Sequence, residues 1–288
     1  MSSSATTSGP GRDEPSQAAG RTPLLPAAVL ALAVLLLATP QSHATEPMVE
    51  PIPPRPSSDL VTLDGWKFDV AFGIAGTTDY VSRGITNSGN KPAIQGYVEP
   101  FWGPLYANVW SSNVDFGAGF SGAEIDTAAG IRPEFGLLTL DLGYVHYFYA
   151  PESASPDYGE FYIKADYDFD KLFTIGGRVF FAPDFNQSGN TATFVAGGVE
   201  VPLPHDFTVY GGVGYQFIDD PRAYEQLVWT AGANYSWKSL TFDLRYWDTD
   251  IGGRACVARS GFADGCDTRV VFTVSLDSTV SALKDLAP

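Results

Sequence analysis

The side chains of this 288-residue chain best suited to redox, nucleophilic or metal chemistry are two cysteines, Cys256 and Cys266, and three histidines. A closely spaced cysteine pair in an oxidising compartment closes a disulfide. Two thiolates with no histidine nearby make a poor metal site. His205 stands in Pro202-Leu203-Pro204-His205-Asp206, a turn sequence whose ordinary use for histidine is a solvated loop position. His146 lies in an apolar, aromatic stretch, where a lipid-facing His–Ser pair would make a surface lipid hydrolase. Activating a nucleophile needs an adjacent base, and no serine at strand spacing accompanies His146. Asp184, Asp219, Asp220, Asp248 and Asp250 fall in polar stretches and have the chemistry of calcium ligands, but solvated loop carboxylates are the commoner case. The sequence therefore predicts no catalytic residue, no cofactor and no metal, and a protein that is not an enzyme.

What remains is charge placed on every second residue. Trp66, Phe68, Val70, Phe72 and Ile74 alternate with Lys67, Asp69, Ala71, Gly73 and Ala75. Phe161, Ile163, Ala165, Tyr167 and Phe169 alternate with Glu160, Tyr162, Lys164, Asp166 and Asp168. A period of two marks a strand with two different faces. It predicts strands near 66–82, 92–102, 104–115, 122–133, 136–149, 159–169, 172–183, 190–201, 206–217, 225–237, 239–249 and 267–276, with the facing of the second and third unsettled. The connections alternate too. Tight turns such as Trp102-Gly103-Pro104, Pro133-Glu134-Phe135 and Trp237 to Ser239 alternate with longer polar loops such as 83–91, 150–158, 183–190, 218–225 and 250–266. Alternating short turns and long loops belong to transmembrane barrels with an even strand number.

A secreted β-sandwich would alternate as well, so the character of the apolar face decides. In the strands with clear facing it carries no Asp, Glu, Lys or Arg, as a lipid-facing surface requires, because a Lys or Arg at the bilayer midplane costs about 2–4 kcal/mol. Aromatics gather at both ends of that face, where interfacial girdles sit. The reading is all-β: a transmembrane antiparallel up-and-down β-barrel of about 12 strands. The opposite face then lines the interior with Lys67, Asp69, Glu124, Asp126, Arg132, Asp141, Lys164, Asp166, Arg178, Glu200, Asp243 and Arg245. Twelve strands enclose a backbone diameter of roughly 24 Å, and inward glycines (Gly73, Gly130, Gly143, Gly176, Gly198, Gly212, Gly214 and Gly232) are expected to keep room inside it. Mixed charge there either lines a narrow pore or braces a closed rod; the pore is the preferred reading, with mild cation preference from the excess of acids.

Composition bounds the rest. Charged residues are 17% of the chain and aromatics 14%, and the formal net charge of −16 argues against nucleic-acid binding. Residues 1–44 read as a signal peptide: Arg12 and Arg21 precede an apolar run, Leu24 to Ala38, too short to span a bilayer comfortably, and Ser42-His43-Ala44 offers small residues for cleavage. A single membrane anchor is the alternative. Residues 45–64 form a proline-rich periplasmic linker, 65–276 the barrel, and 277–288 a C-terminal tail that leaves the barrel without a terminal aromatic. This organisation implies the bacterial outer membrane with both termini periplasmic. Its partners would be membrane lipid and lipopolysaccharide, small solutes or ions, and the barrel assembly machinery, with no nucleic acid.

Several segments resemble one family. Thr78-Asp79-Tyr80-Val81-Ser82-Arg83-Gly84-Ile85-Thr86, then Pro92-Ala93-Ile94-Gln95-Gly96, is similar to the opening of the TorF-type proteobacterial porins, long catalogued as conserved proteins of unknown function. Trp110-Ser111-Ser112-Asn113-Val114-Asp115-Phe116, Glu124-Ile125-Asp126, Asp141-Leu142-Gly143-Tyr144 and Cys266-Asp267-Thr268-Arg269-Val270-Val271-Phe272 match in the same order. The resemblance implies an outer-membrane porin and carries no substrate with it. Asp79, Tyr80, Arg83 and Gly84 stand where the first strand enters its outer loop, and Cys256–Cys266 would staple the longest outer loop. Both loops are expected to shape the pore mouth. A structural or adhesive barrel without conductance is the alternative, and a surface lipid hydrolase the remotest.

Overall fold

A computed structural model describes residues 62–63, 66–117, 121–151 and 157–284. The segment expected as a signal peptide, nearly all of that expected as a proline-rich linker, and residues 285–288 lie outside the described residues. Twelve long strands make the wall: β1 (Trp66–Thr77), β2 (Ala93–Trp102), β3 (Leu105–Asp115), β4 (Ser121–Ile131), β5 (Leu138–Ala150), β6 (Tyr158–Asp168), β7 (Thr174–Ala182), β8 (Ala192–Leu203), β9 (Phe207–Ile218), β10 (Gln226–Trp237), β11 (Leu240–Thr249) and β12 (Arg269–Thr279). Each pairs antiparallel with its neighbours in sequence, and β12 pairs back onto β1 from Thr273↔Thr77 to Thr279↔Ala71. The sheet has no open edge among these strands, so the fold is a closed twelve-stranded up-and-down barrel.

The two faces differ as their chemistry demands. Ile74, Ile94, Val98, Ile163, Val213, Leu244 and Val270 point outward and are each half or more exposed. A continuous apolar belt of this kind far exceeds the patches a soluble monomer tolerates and suits a hydrocarbon surround. Trp66, Phe207 and Trp237 stand at the end carrying the tight turns, and Phe148, Phe161 and Phe217 toward the end carrying the long loops, all outward and exposed. β2 and β3, whose facing the sequence leaves unsettled, turn Gln95, Tyr97, Glu99, Phe101, Tyr106, Asn108, Trp110 and Ser112 inward. The tight turns rely on positive φ, as at Asp170 and Lys171 (50° and 63°) and at His205 and Asp206 (65° and 61°). His205 is thereby an exposed turn residue.

The tail differs from expectation. The last strand does not stop at Leu276: Asp277 pairs with Gly73, the ladder runs to Thr279, and a short helix follows. With α1 at Gly253–Ser260 in the loop between β11 and β12, that short helix is α2, Val280–Lys284. Ser281 donates from both its backbone N–H and its hydroxyl to Asp69, which is 1% exposed. A carboxylate at the start of a helix accepts the amide groups that lack an intrahelical partner, so the segment past β12 is hooked to the inner wall of β1.

Because hydrocarbon covers the outward face in this architecture, Val213→Arg should lower the urea resistance of the barrel refolded in lipid vesicles by about 2–4 kcal/mol. The same exchange at the exposed loop residue Asp184 should change it by less than about 0.5 kcal/mol. Equal sensitivity at both positions would contradict a lipid-facing belt.

Candidate functional site in the barrel lumen

Eleven of the twelve charged residues expected on the inner face lie in strands and share their inward parity, and Arg132, one residue past β4, continues the parity of that strand. The structure joins most of them into a belt around the wall. Arg132 bonds Glu99 at 2.9 Å and Asp141 at 3.3 Å, and Tyr106 donates to Asp141 at 2.6 Å. Tyr106 and Tyr162 also share a hydrogen bond. Arg178 holds Asp166 through two bonds, at 2.6 and 3.2 Å. Arg245 contacts Asp243 at 3.3 Å and donates to the Tyr210 hydroxyl at 2.8 Å, while Tyr210 donates to Asp243. Lys164 lies opposite both Asp141 and Arg178 in register, with its ammonium over the Tyr162 and Phe180 rings. A buried charge survives only when it is paired and hydrogen-bonded, and this belt meets that condition.

The belt is not a dry core. Lys164, Glu200, Tyr210, Asn234 and Asp243 are only half-buried, so the interior toward the tight-turn end keeps solvent-accessible volume. The inward glycines add less room than the sequence suggests. A methyl group built on Gly73, Gly130, Gly143 or Gly232 would come within 2.8 Å of Tyr97, Tyr106, Tyr162 or Tyr210 respectively. Each tyrosine lies across a neighbouring glycine and reaches a carboxylate or hydroxyl beyond it, which narrows the lumen instead of opening it.

The loop end is filled by the chain itself. Between β1 and β2 the strands Val81–Ser82 and Ile85–Thr86 pair as a small hairpin, with Arg83 and Gly84 as its two-residue turn. Both turn residues have positive φ, 50° and 79°, as a type I′ turn requires. This hairpin does not project away from the barrel. The Arg83 guanidinium meets Glu160 on β6 with two bonds, 3.1 Å from Nη1 and 2.6 Å from Nη2, and Nη1 also donates to Gln216 on β9 at 2.8 Å. Its Cζ lies 5.2 Å from the Phe180 ring centroid and 4.6 Å from that of Phe194. Gln226 on β10 donates to the Arg83 carbonyl at 2.6 Å, and Tyr147 donates to Glu160 at 2.9 Å. The turn therefore crosses from β1 and β2 to the wall made by β6 to β10. Glu160, Gln216, Gln226 and Val228 are all 0% exposed there. Burial opposes the charge of Arg83, but Glu160 outweighs it and lifts the guanidinium above its ordinary value.

Other contacts hold the base of the hairpin. Asp79 accepts from Ser88 at 2.9 Å, from Thr86, and from Arg269 of β12 at 2.7 Å. Tyr80 donates to Glu124 at 3.0 Å; burial and the carboxylates of Glu124 and Asp126 keep its phenol well above the usual value, so it stays a donor. From above, the Cys256–Cys266 disulfide packs on Ile85, and the Thr86 amide donates to the Gly265 carbonyl at 2.9 Å. Thus Asp79, Tyr80, Arg83 and Gly84 all belong to one inserted element, and the disulfide loop lies on its outer side.

Three lumen acids stand outside the twelve expected ones: Glu99, Glu160 and Asp277, the last on the stretch of β12 expected to be tail. Glu99 is on β2, whose aromatic residues on both faces blur the alternation. Glu160 shares the parity of Lys164 and Asp166 but sits at the loop end of β6, where only the inserted hairpin reveals its role. His146 points outward, 4.4 Å in ring separation from Phe148 and hydrogen-bonded to Tyr144, with Thr127 and Gly159 as its cross-strand neighbours. Among the described residues there is no group of three or more His, Cys, Asp or Glu arranged to hold a metal ion.

Residues 65–277 match the profile described as bacterial protein of unknown function (Gcw_chp). The chain belongs to this family. The match covers the barrel from the start of β1 to Asp277, near the end of β12. A comparison with curated proteins gave no match. Among solved structures, the KdgM porin superposes with a TM-score of 0.48 at 7% identity, over 72% of this chain and 97% of that one. The NanC porin gives 0.45 at 14% identity, over 73% and 98%. An outer membrane channel from Pseudomonas putida F1 gives 0.42 at 10% identity, over 79% and 100%.

Gly84 is the residue that lets the turn seat. A Cβ there would lie 2.6 Å from Val228 Cγ2, and the left-handed backbone adds strain of about 1–3 kcal/mol. Gly84→Ala should therefore unseat the hairpin while the barrel still forms. Trypsin should then cut after Arg83 about tenfold faster or more than in the unsubstituted protein. Unchanged cleavage would mean the turn is not held where the structure places it.

Proposed function

We propose that this protein is an outer-membrane channel for small hydrophilic solutes or ions, shut in the present conformation by the 81–86 hairpin. One observation carries the reading: a charged, solvent-accessible lumen ends against an inserted element whose turn is held by hydrogen bonds and an ion pair to the wall alongside its apolar contacts. Polar contacts of this kind are exchangeable with water and ions in a way that a packed hydrocarbon plug is not. The apolar outer belt, the closed sheet and the resemblance to the TorF-type porins support placement in the outer membrane. On that reading the tight turns and both termini face the periplasm and the long loops face outward.

Acids outnumber bases along the inner wall, with Glu99, Glu160 and Asp277 added to those expected from the sequence, so a cation-favouring potential follows. The dense tyrosine and arginine belt also suits a second reading, a rod braced from within that conducts nothing. Planar-bilayer recording separates the two. The purified protein should show rare, small conductance steps, and Arg83→Ala should raise open probability at least about tenfold, since it removes three charge-assisted bonds worth about 1.5–3 kcal/mol each. Reversal potentials in a salt gradient should favour cations. A refolded Arg83→Ala barrel with no discrete steps would leave the braced rod as the function.

A further inference from the structure

We propose that the seat of Arg83 is a binding site for a solute bearing a guanidinium group, which the hairpin occupies with its own side chain while the barrel is shut. The inference rests on the channel reading for its physiological sense, but the site can be tested without it.

The seat is built for this shape. Its base is the Glu160 carboxylate, which takes both terminal nitrogens of the guanidinium in a parallel fork, while the Gln216 amide oxygen takes a further proton in the same region. Phe180 and Phe194 are cross-strand partners in the β7–β8 register and offer their rings to the cation at 5.2 and 4.6 Å. A planar, weakly hydrated cation with several donors in one plane satisfies fork and rings together. A compact ammonium ion cannot make the same parallel pair. Everything except the cation comes from the rigid wall: the Tyr147 hydroxyl fixes Glu160 from the side, and the register places Phe180, Phe194 and Gln216 on adjacent strands. The cation alone arrives on a loop whose turn can withdraw.

Withdrawal leaves Glu160 and the two rings in place, and a buried carboxylate then demands a counter-ion. Sodium supplies charge without the fork or a match to the rings, whereas a guanidinium supplies all three. The same site therefore does two things. It favours guanidinium-bearing solutes in passage, and such a solute, by competing with Arg83, holds the hairpin out.

The test uses methylguanidinium chloride on the refolded, detergent-solubilised full barrel. In Arg83→Ala it should raise the thermal midpoint saturably, with half-effect at least about tenfold lower in concentration than for methylammonium. The added substitution Glu160→Gln should remove the response. In the unsubstituted protein, methylguanidinium should speed amide exchange in the peptide containing residues 81–86, and sodium chloride of equal ionic strength should not; this arm serves if Arg83→Ala fails to refold. Equal effects of methylguanidinium, methylammonium and sodium, or rescue that persists in Glu160→Gln, would overturn the proposal. Selective rescue in a variant that carries no current would keep the site and sink the channel. Current in Arg83→Ala without selective rescue would do the reverse.

Discussion

In a hydrocarbon surround no water is present to satisfy a backbone N–H or C=O, so everything in this molecule depends on the hydrogen bonds that join β12 to β1. The seam from Thr273↔Thr77 to Thr279↔Ala71 removes the last sheet edge, and closure is what allows every strand to sit in lipid at all. It also fixes the division of labour among side chains. Once the sheet is a cylinder, alternate residues have no choice but to face lipid or lumen, and, apart from strand-end residues such as Asp115 and Asp248, the Asp, Glu, Lys and Arg of the wall face inward. The paired acids and bases of the belt follow from that requirement, as do the tyrosines that bridge between them.

The lumen then poses its own problem. Arg83, Asp79 and Tyr80 enter it from a loop, each bringing a donor or charge that the wall completes: Arg83 with Glu160, Asp79 with Arg269, Tyr80 with Glu124. The disulfide loop closes over the hairpin from outside through Ile85 and Thr86. The element is accordingly held at three levels: by its turn against the far wall, by its base against β4 and β12, and by its outer edge against the loop carrying α1. Only the base contacts lie close to the strands from which the hairpin springs.

How much of this the sequence discloses follows from the range of the interactions. The strand count, the facing of most strands and the alternation of turns and loops are legible because period two and turn chemistry are local properties. β2 is hard to read because Tyr97 and Phe101 face inward against Ile94, Val98 and Trp102 outward, leaving little contrast. The end of β12 is misjudged because Asp277, Ser278 and Thr279 look like a polar tail until Gly73, Phe72 and Ala71 are seen beside them. The segment 79–84 stands out as a motif, but its address does not: Glu160 is 77 residues from Arg83 and Gln216 is 133. No periodicity encodes a contact across a barrel.

The hairpin is tied to the wall at both ends, springing from β1 and returning into β2. Its arginine is therefore never diluted. A group on a short flexible tether faces its site at an effective concentration of roughly millimolar, whatever the composition of the water outside. Any free cation must outbid that standing occupant before it gains a foothold, so scarce or weak competitors change nothing and abundant ones change much. The covalent connection thus sets a threshold, and the length of the tether becomes as much a determinant of the barrel's sensitivity as the chemistry of the seat.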